Sequence, residues 1–255
     1  MILLQLDYFA YNNRLKQISI GERLLLGAGS LGLALALPRP ATLLALIALM
    51  HGVMLYAKIP PRYLLRLWLA PLTFLAVSLL TVVASVSAKP FPAFWAVKVG
   101  AYYAGITAEG IAAAALLLLR SLAAVSCLFM LATTTPVGHI VAYLSRVPGI
   151  RAVAEIALLT YRFIFVVLAT AGQIFTAQQS RLGYANPRRA LAALSLLAAS
   201  IGRKSFIMAG QLHIALLARN YHDRLVFRQP TLQVSPVRLT GIAAVLAGIA
   251  LTAFI

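Results

Sequence analysis

Apolar residues in this chain come in blocks of about twenty, and each block is broken by proline, by cations or by both. A membrane-spanning helix needs about 20 mostly apolar residues, and five blocks offer that length. The first covers about residues 18–37. Ser19-Ile20-Gly21-Glu22 reads as a capping box that opens it, with Arg23 snorkelling beside it. Pro38-Arg39-Pro40 stops it, because proline lacks a backbone donor and clashes with the preceding turn. The second block is 41–57, closed by Lys58-Ile59-Pro60-Pro61-Arg62. The third runs from about 64 to 88 and ends at Lys89-Pro90-Phe91-Pro92, with Trp95 nearby, an interfacial composition. The fourth starts near Tyr102-Tyr103 and reaches Thr133-Thr134-Thr135-Pro136. More than thirty residues at about 1.5 Å each make roughly 48 Å against a hydrocarbon core of about 30 Å, so the surplus must leave the membrane. The last block is about 239–255. Ahead of the first, residues 1–16 mix Leu3, Leu4, Leu6 and Phe9 with Asp7, Arg14 and Lys16. That mixture suits a segment lying in the headgroup plane rather than a cleavable leader.

Between the fourth and last blocks the pattern changes. Residues 137–147 read as one short helix ended by Pro148-Gly149, and 150–183 as a second, long and mostly apolar. Asn186-Pro187 supplies an N-cap followed by proline at the first helical position, opening a third helix that reaches Tyr221. Either long helix is long enough to span a bilayer. Against spanning, Arg162 lies mid-segment, where a charge in lipid costs at least about 2.5 kcal/mol. Arg203-Lys204 likewise interrupts the third helix. Interfacial or cytoplasmic helices fit better, and their many Ala, Gly and Ser residues permit close helix approach. The chain therefore divides into an N-terminal membrane region, 1–135, interfacial or cytoplasmic helices at 136–237, and a C-terminal transmembrane helix at 238–255. The expected fold class is all-α: a polytopic membrane protein with about five transmembrane helices plus a cytoplasmic domain of three helices.

Composition and charge sharpen this picture. The 255 residues are 62% hydrophobic and only 11% charged, with a net charge of +17. Soluble domains average about 45–50% apolar and about 25% charged, which excludes a water-soluble monomer. With the N-terminus placed in the cytoplasm, eighteen of the 22 basic residues fall in inner segments and three in outer loops. This split satisfies the positive-inside rule. The localisation expected is the inner (plasma) membrane, multi-pass, with the N-terminus cytoplasmic. So few acids leave the cations to find partners elsewhere, on anionic lipid headgroups, nucleic acid or an acidic protein surface.

Catalytic constellations are missing from the sequence. The acids Asp7, Glu22, Glu109, Glu155 and Asp223 are dispersed, as are His51, His139, His213 and His222, and the one cysteine is Cys127. None stands at zinc-ligand spacing, and no glycine-rich phosphate loop with its lysine occurs. No catalytic, cofactor-binding or metal residue is assigned, and no cofactor or nucleic-acid partner is implied. Glu109 and Arg120 share a face of the fourth helix about 16 Å apart, which is too far for a pair. Arg120 reads as an interhelical or snorkelling contact near the inner surface.

Two helix ends carry the strongest pattern. Ser180-Arg181-Leu182, before Gly183, closes the second long helix, and Ala218-Arg219-Asn220 closes the third. Gly183 and Asn220 are the residues suited to a left-handed cap. An arginine near a helix C-terminus complements the macrodipole. Held twice on rigid stalks, it is also placed to enter an acidic pocket with bidentate geometry.

Further segments carry a family resemblance. Val99-Gly100-Ala101-Tyr102-Tyr103-Ala104-Gly105-Ile106-Thr107, Arg120-Ser121-Leu122, Leu159-Thr160-Tyr161-Arg162-Phe163 and Ser180-Arg181-Leu182-Gly183-Tyr184 belong together with these ends. Over about residues 6–221 the chain resembles the transmembrane T component of energy-coupling factor transporters, in its CbiQ-like branch. The resemblance implies membrane helices plus a three-helix cytoplasmic coupling domain. It also implies that Ser180-Arg181-Leu182 and Ala218-Arg219-Asn220 stand at the family's two Ala-Arg-Gly-like motifs, neither keeping that sequence in full. Partners implied are a pair of ATP-binding-cassette ATPases, a substrate-binding membrane subunit and a small accessory membrane subunit. The branch serves cobalt uptake, nickel systems are very similar, and the family places metal choice in the substrate subunit. A self-contained secondary carrier or channel with an interfacial helical domain is the alternative. Such a carrier calls for polar residues at mid-membrane in broken helices, whereas the first three spans hold little beyond Ser30, Thr42, His51, Thr73, Ser78 and Thr81.

Overall fold

The computed structural model describes residues 2–87, 95–99, 102–220 and 234–253. The Lys89-Pro90-Phe91-Pro92 end, Gly100-Ala101, Tyr221, His222, Asp223 and the last two residues lie outside them. Helix α1 (Ile2–Tyr11) leads through a 3-10 turn (Arg14–Gln17) into α2 (Ile20–Ala36), α3 (Pro40–Tyr56) and α4 (Pro61–Val83). Three short strands follow, β1 (Ala84–Ser87), β2 (Trp95–Val99) and β3 (Tyr102–Ile106), and then α5 (Ala108–Thr134). Helix α6 (Val137–Leu144) precedes the long α7 (Arg151–Ser180) and α8 (Pro187–Leu217), and α9 (Pro236–Leu251) comes last. The protein is an all-α polytopic membrane protein with one small sheet. By length and composition α4, α5, α7 and α8 are each able to cross a membrane. Helices α3 and α9 are shorter apolar helices.

The sheet is a departure from the expected helices. Residues 84–87 and 102–106, where the pattern predicts helix, are strand, with β3 central and antiparallel to both neighbours. Ala84 pairs with Ile106 and Val97 with Ala104. Val86 in β1, Trp95, Val97 and Val99 in β2 and Tyr102-Tyr103 in β3 are β-branched or aromatic, residue types that lose side-chain freedom in a helix and fit a pleated surface. Helix α5 consequently begins only after Thr107, whose side chain accepts from the Gly110 amide at 3.0 Å.

The chain divides into two compact units, Met1–Val137 with Thr231–Ile255, and Gly138–Pro230. In the first, α3 and α5 supply the core: Met50, Met54, Cys127 and Met130 are fully buried together with Leu43, Leu46 and Ala123. Gly27 on α2 makes the approach to α5 possible, since a Cβ there would meet Leu131 at 2.2 Å. His51 and Trp68 join α3 to α4. The indole donates to His51 Nε2 at 3.2 Å, so the proton sits on Nδ1, which donates to the Ile47 carbonyl at 2.9 Å. Both ring nitrogens of this histidine are thereby used.

A buried polar knot ties four elements of the same unit. Thr133, Thr134 and Thr135 at the end of α5 are fully buried. The Thr134 carbonyl accepts from Arg23 Nη1 and from Asn13 Nδ2, the latter at 3.0 Å. Arg23 also donates to the Ile18 carbonyl at 2.9 Å. It is 4% exposed, so it satisfies a helix C-terminus instead of snorkelling to headgroups. Its fixed positive charge also complements the negative end of the α5 dipole. Glu22 likewise departs from its expected part. Ser19 is the N-cap of α2 but makes no side-chain cap bond. Fully buried, Glu22 accepts from the Ser235 amide at the start of α9, 2.7 Å away. Arg120 donates to the Leu35 carbonyl at 2.6 Å. This is the interhelical contact expected of it, and it lies at the opposite end of α2 from Arg23.

Candidate partner-docking tips

Helices α7 and α8 form an antiparallel hairpin in the second unit. Asn186 caps α8 by accepting from the Arg189 amide at 2.8 Å, with Pro187 at the first helical position. Gln178 fixes the turn from both sides. Its Nε2 donates to the Ala193 carbonyl at 3.0 Å, and its Oε1 accepts from the Tyr184 hydroxyl at 2.8 Å. The Tyr184 ring packs on Phe175 with centroids 4.7 Å apart.

The end of α7 is a Schellman cap. The Gly183 amide donates to the Gln178 carbonyl at 2.9 Å and the Leu182 amide to Gln179 at 3.0 Å. The left-handed residue is Leu182, with φ of 57°, and not Gly183 as the sequence suggested. Gly183 is needed for another reason, because a Cβ there would lie 2.9 Å from the Gln178 carbonyl oxygen. At the end of α8 the left-handed residue is Asn220, φ 58°, as expected. Arg181 and Arg219 therefore each stand one residue before a left-handed turn, on exposed backbone. The shared backbone state makes the two ends equivalent in a way that residue names alone do not.

Ser180, Arg181, Leu182, Ala218, Arg219 and Asn220 are all exposed. Leu182 is 69% exposed, an apolar side chain held at a position that costs an L-residue about 1–2 kcal/mol. The hairpin as a whole is poorly covered within the chain. No described residue of α8 is buried, and Phe206 is 84% exposed. Arg181 lies at the turn and Arg219 at the far end of α8, whose 31 residues rise about 1.5 Å each, so roughly 45 Å separates the two arginines along it. Arg162 is exposed midway along α7, and Arg151 pairs with Glu155 one turn on, at 3.5 Å.

Among the described residues no group of three or more His, Cys, Asp or Glu is placed to hold a metal ion. The contacts that the sequence reading missed are Asn13, Glu22 and Arg23 with their carbonyl and amide partners. The signal available was the rarity of acids, which makes an acid inside an apolar block unusual enough to need a partner.

Comparison with known proteins agrees with this architecture. The CbiQ family, described as cobalt transport protein, matches residues 13–229. A cobalt transport protein CbiQ of Rhodobacter capsulatus is 31% identical over 226 residues, 88% of this chain and 87% of the relative. That of Salmonella typhimurium is 30% identical over 76% of this chain and 86% of its own length. A putative fused cobalt transport protein CbiMQ of Methanocorpusculum labreanum is 27% identical over 91% of this chain and 39% of that protein. A polytopic helical chain matched in this way over most of its length belongs to the CbiQ family of cobalt transport proteins.

Proposed function

We propose that this chain is the non-catalytic coupling subunit of an ATP-driven transition-metal importer, cobalt being the metal its relatives' names point to. It converts closure of a pair of ATP-binding-cassette ATPases into movement of a separate substrate-binding membrane subunit, with a small accessory membrane subunit in the same assembly. Residues 136–237 lie on the cytoplasmic side in this reading, and Arg181 and Arg219 enter acidic pockets on different ATPases. The observation that carries it is the repeated tip, an exposed arginine before a left-handed residue at the C-terminal ends of both α7 and α8. The 45 Å span suits two receptors rather than one. The name of the fused relative, a putative fused cobalt transport protein, supports a further cobalt-transport component beside this one.

The test is arginine replacement. Each guanidinium makes charge-assisted hydrogen bonds at a partly desolvated contact, and removing one partner of such a pair costs about 2–5 kcal/mol. Arg181→Glu and Arg219→Glu should each lower ATPase co-purification and metal uptake, and the double variant should abolish uptake. Lysine should substitute poorly because a point charge lacks the planar fork. Arg188→Glu with Arg189→Glu is the control. As exposed charges beyond the tip, their loss should matter less. If the double tip variant takes up metal and retains its ATPases as the wild type does, the arginines only cap helices, worth about 0.3–1 kcal/mol each.

A further inference from the structure

The 3-10 turn Arg14–Gln17 separates two cavities of opposite character in the first unit. On one side lies an apolar groove of 650 Å³ between α2, α3 and α9, floored by Leu26, Leu49, Ile242 and Val245. Leu15 and Ile18 form its wall at the turn. On the other side a pocket of 380 Å³ is lined by Arg14, Lys16 and Lys58, with Asn12 and Gln17 and without an acid. A cation–ring contact links them: Arg14, which lines the pocket, has its guanidinium carbon 6.0 Å from the ring centroid of Tyr56, which lines the groove.

Lys58 is held at a cost. It closes α3 with φ of 62°, where glycine is favoured, and the Ile59 amide donates to the Met54 carbonyl at 3.2 Å to complete the cap. A lysine kept on a left-handed turn puts a third cation into the pocket. The groove contains one carboxylate, Glu22, whose Oε1 is taken by the Ser235 amide and which is accompanied by Arg23 and Arg238. The groove lining thus carries one excess positive charge, and the pocket beyond the turn carries three.

We infer that these two cavities form one binding site for an anionic glycerophospholipid. Its phosphate sits among Arg14, Lys16 and Lys58, and one acyl chain lies along the groove between α2, α3 and α9. The charge of the pocket selects an anion, and the joined apolar groove selects an anion that carries a tail. Basic pockets between membrane helices hold lipid headgroups by this combination. Bound there, the lipid fastens α9 to α2 and α3 through a groove that the protein's own side chains leave open.

The test uses the full chain, in nanodiscs and after detergent purification. Phosphatidylglycerol should remain bound by native mass spectrometry, and phosphatidylcholine should not. Phosphatidylglycerol should also raise the melting temperature where inorganic phosphate does not. Removing cations should lower lipid occupancy by roughly fivefold for each one lost. Lys58→Gly is the informative variant, since it relaxes the backbone while deleting the charge, so weaker binding by a more stable protein cannot be blamed on misfolding. Gly52→Leu and Gly241→Leu fill the groove, because nothing lies within 4 Å of a Cβ at either position. Both should lower retention of the long-chain lipid and spare a short-chain analogue. Equal retention of the neutral lipid, or unchanged retention in all these variants, would overturn the site. So would groove variants that keep the lipid and lose the substrate-binding subunit, which would make the groove a protein interface. ATPase co-purification should stay at wild-type level throughout, keeping this test separate from that of the two tips.

Discussion

At the scale of single residues, the membrane unit rests on positions where size or charge leaves no alternative. Gly27 is one. A leucine side chain in its place would press into Leu131 and Met130 across the α2–α5 contact, whose nearest approach to an added Cβ is already 2.2 Å. Overpacking of this kind costs about 1–3 kcal/mol, so Gly27→Leu should lower the melting temperature in detergent. Gly32→Leu, with nothing within 4 Å of its Cβ, should not. Equal melting temperatures for the two would show that α2 does not approach α5 so closely. Arg23 and Glu22 show why such detail escapes a sequence reading. Both stand in the first turn of an apolar block, where snorkelling and local capping are the nearest explanations. Their partners lie 111 and 213 residues away, and no local pattern reports a contact at that separation.

Helices and turns were legible to the degree that they are local. Apolar blocks between prolines marked α2, α3 and α9 to within a few residues, and Asn186-Pro187 marked the start of α8 because a cap is a short-range bond. The sheet was not legible, since strand pairing between 84–87 and 103–106 is non-local and its residues are apolar enough to extend the neighbouring helices. The candidate tips were legible as a repeated arginine, but their shared backbone was hidden by the leucine at the first. Leu182→Gly separates the two explanations of that leucine. Relief of the left-handed strain is worth about 1–2 kcal/mol, and a chain of this size gains roughly 2–4 °C per kcal/mol, so the variant should melt higher. If the exposed leucine also meets the ATPase, the same variant should lose ATPase co-purification, giving stability and assembly opposite signs. Improvement in both would assign Leu182 to the cap alone. Asn220→Gly should move neither much, because asparagine tolerates this region of the backbone.

For the whole molecule the decisive question is which of the long helices cross the bilayer. Helices α7 and α8 meet the length and composition of spans, and both readings leave the N-terminus and α9 oriented alike, because two added crossings cancel. The readings differ only at the turn between them. If α7 and α8 form a cytoplasmic hairpin, residues 181–189 face the cytoplasm, and if they span, the same turn faces outward. Charge favours the first, since Arg181, Arg188 and Arg189 cluster there and outward loops are otherwise poor in cations. Cysteine labelling suits the measurement because the one native thiol, Cys127, is fully buried. In intact cells Arg188→Cys should resist a membrane-impermeant thiol reagent and react after permeabilisation. Arg39→Cys, between α2 and α3, should react without it. Labelling of the Arg188→Cys protein from outside would remove the hairpin from the ATPase side and with it the role proposed for Arg181. The exposed apolar faces of α7 and α8 would then be lipid-facing, and Arg162 would need a partner within the membrane.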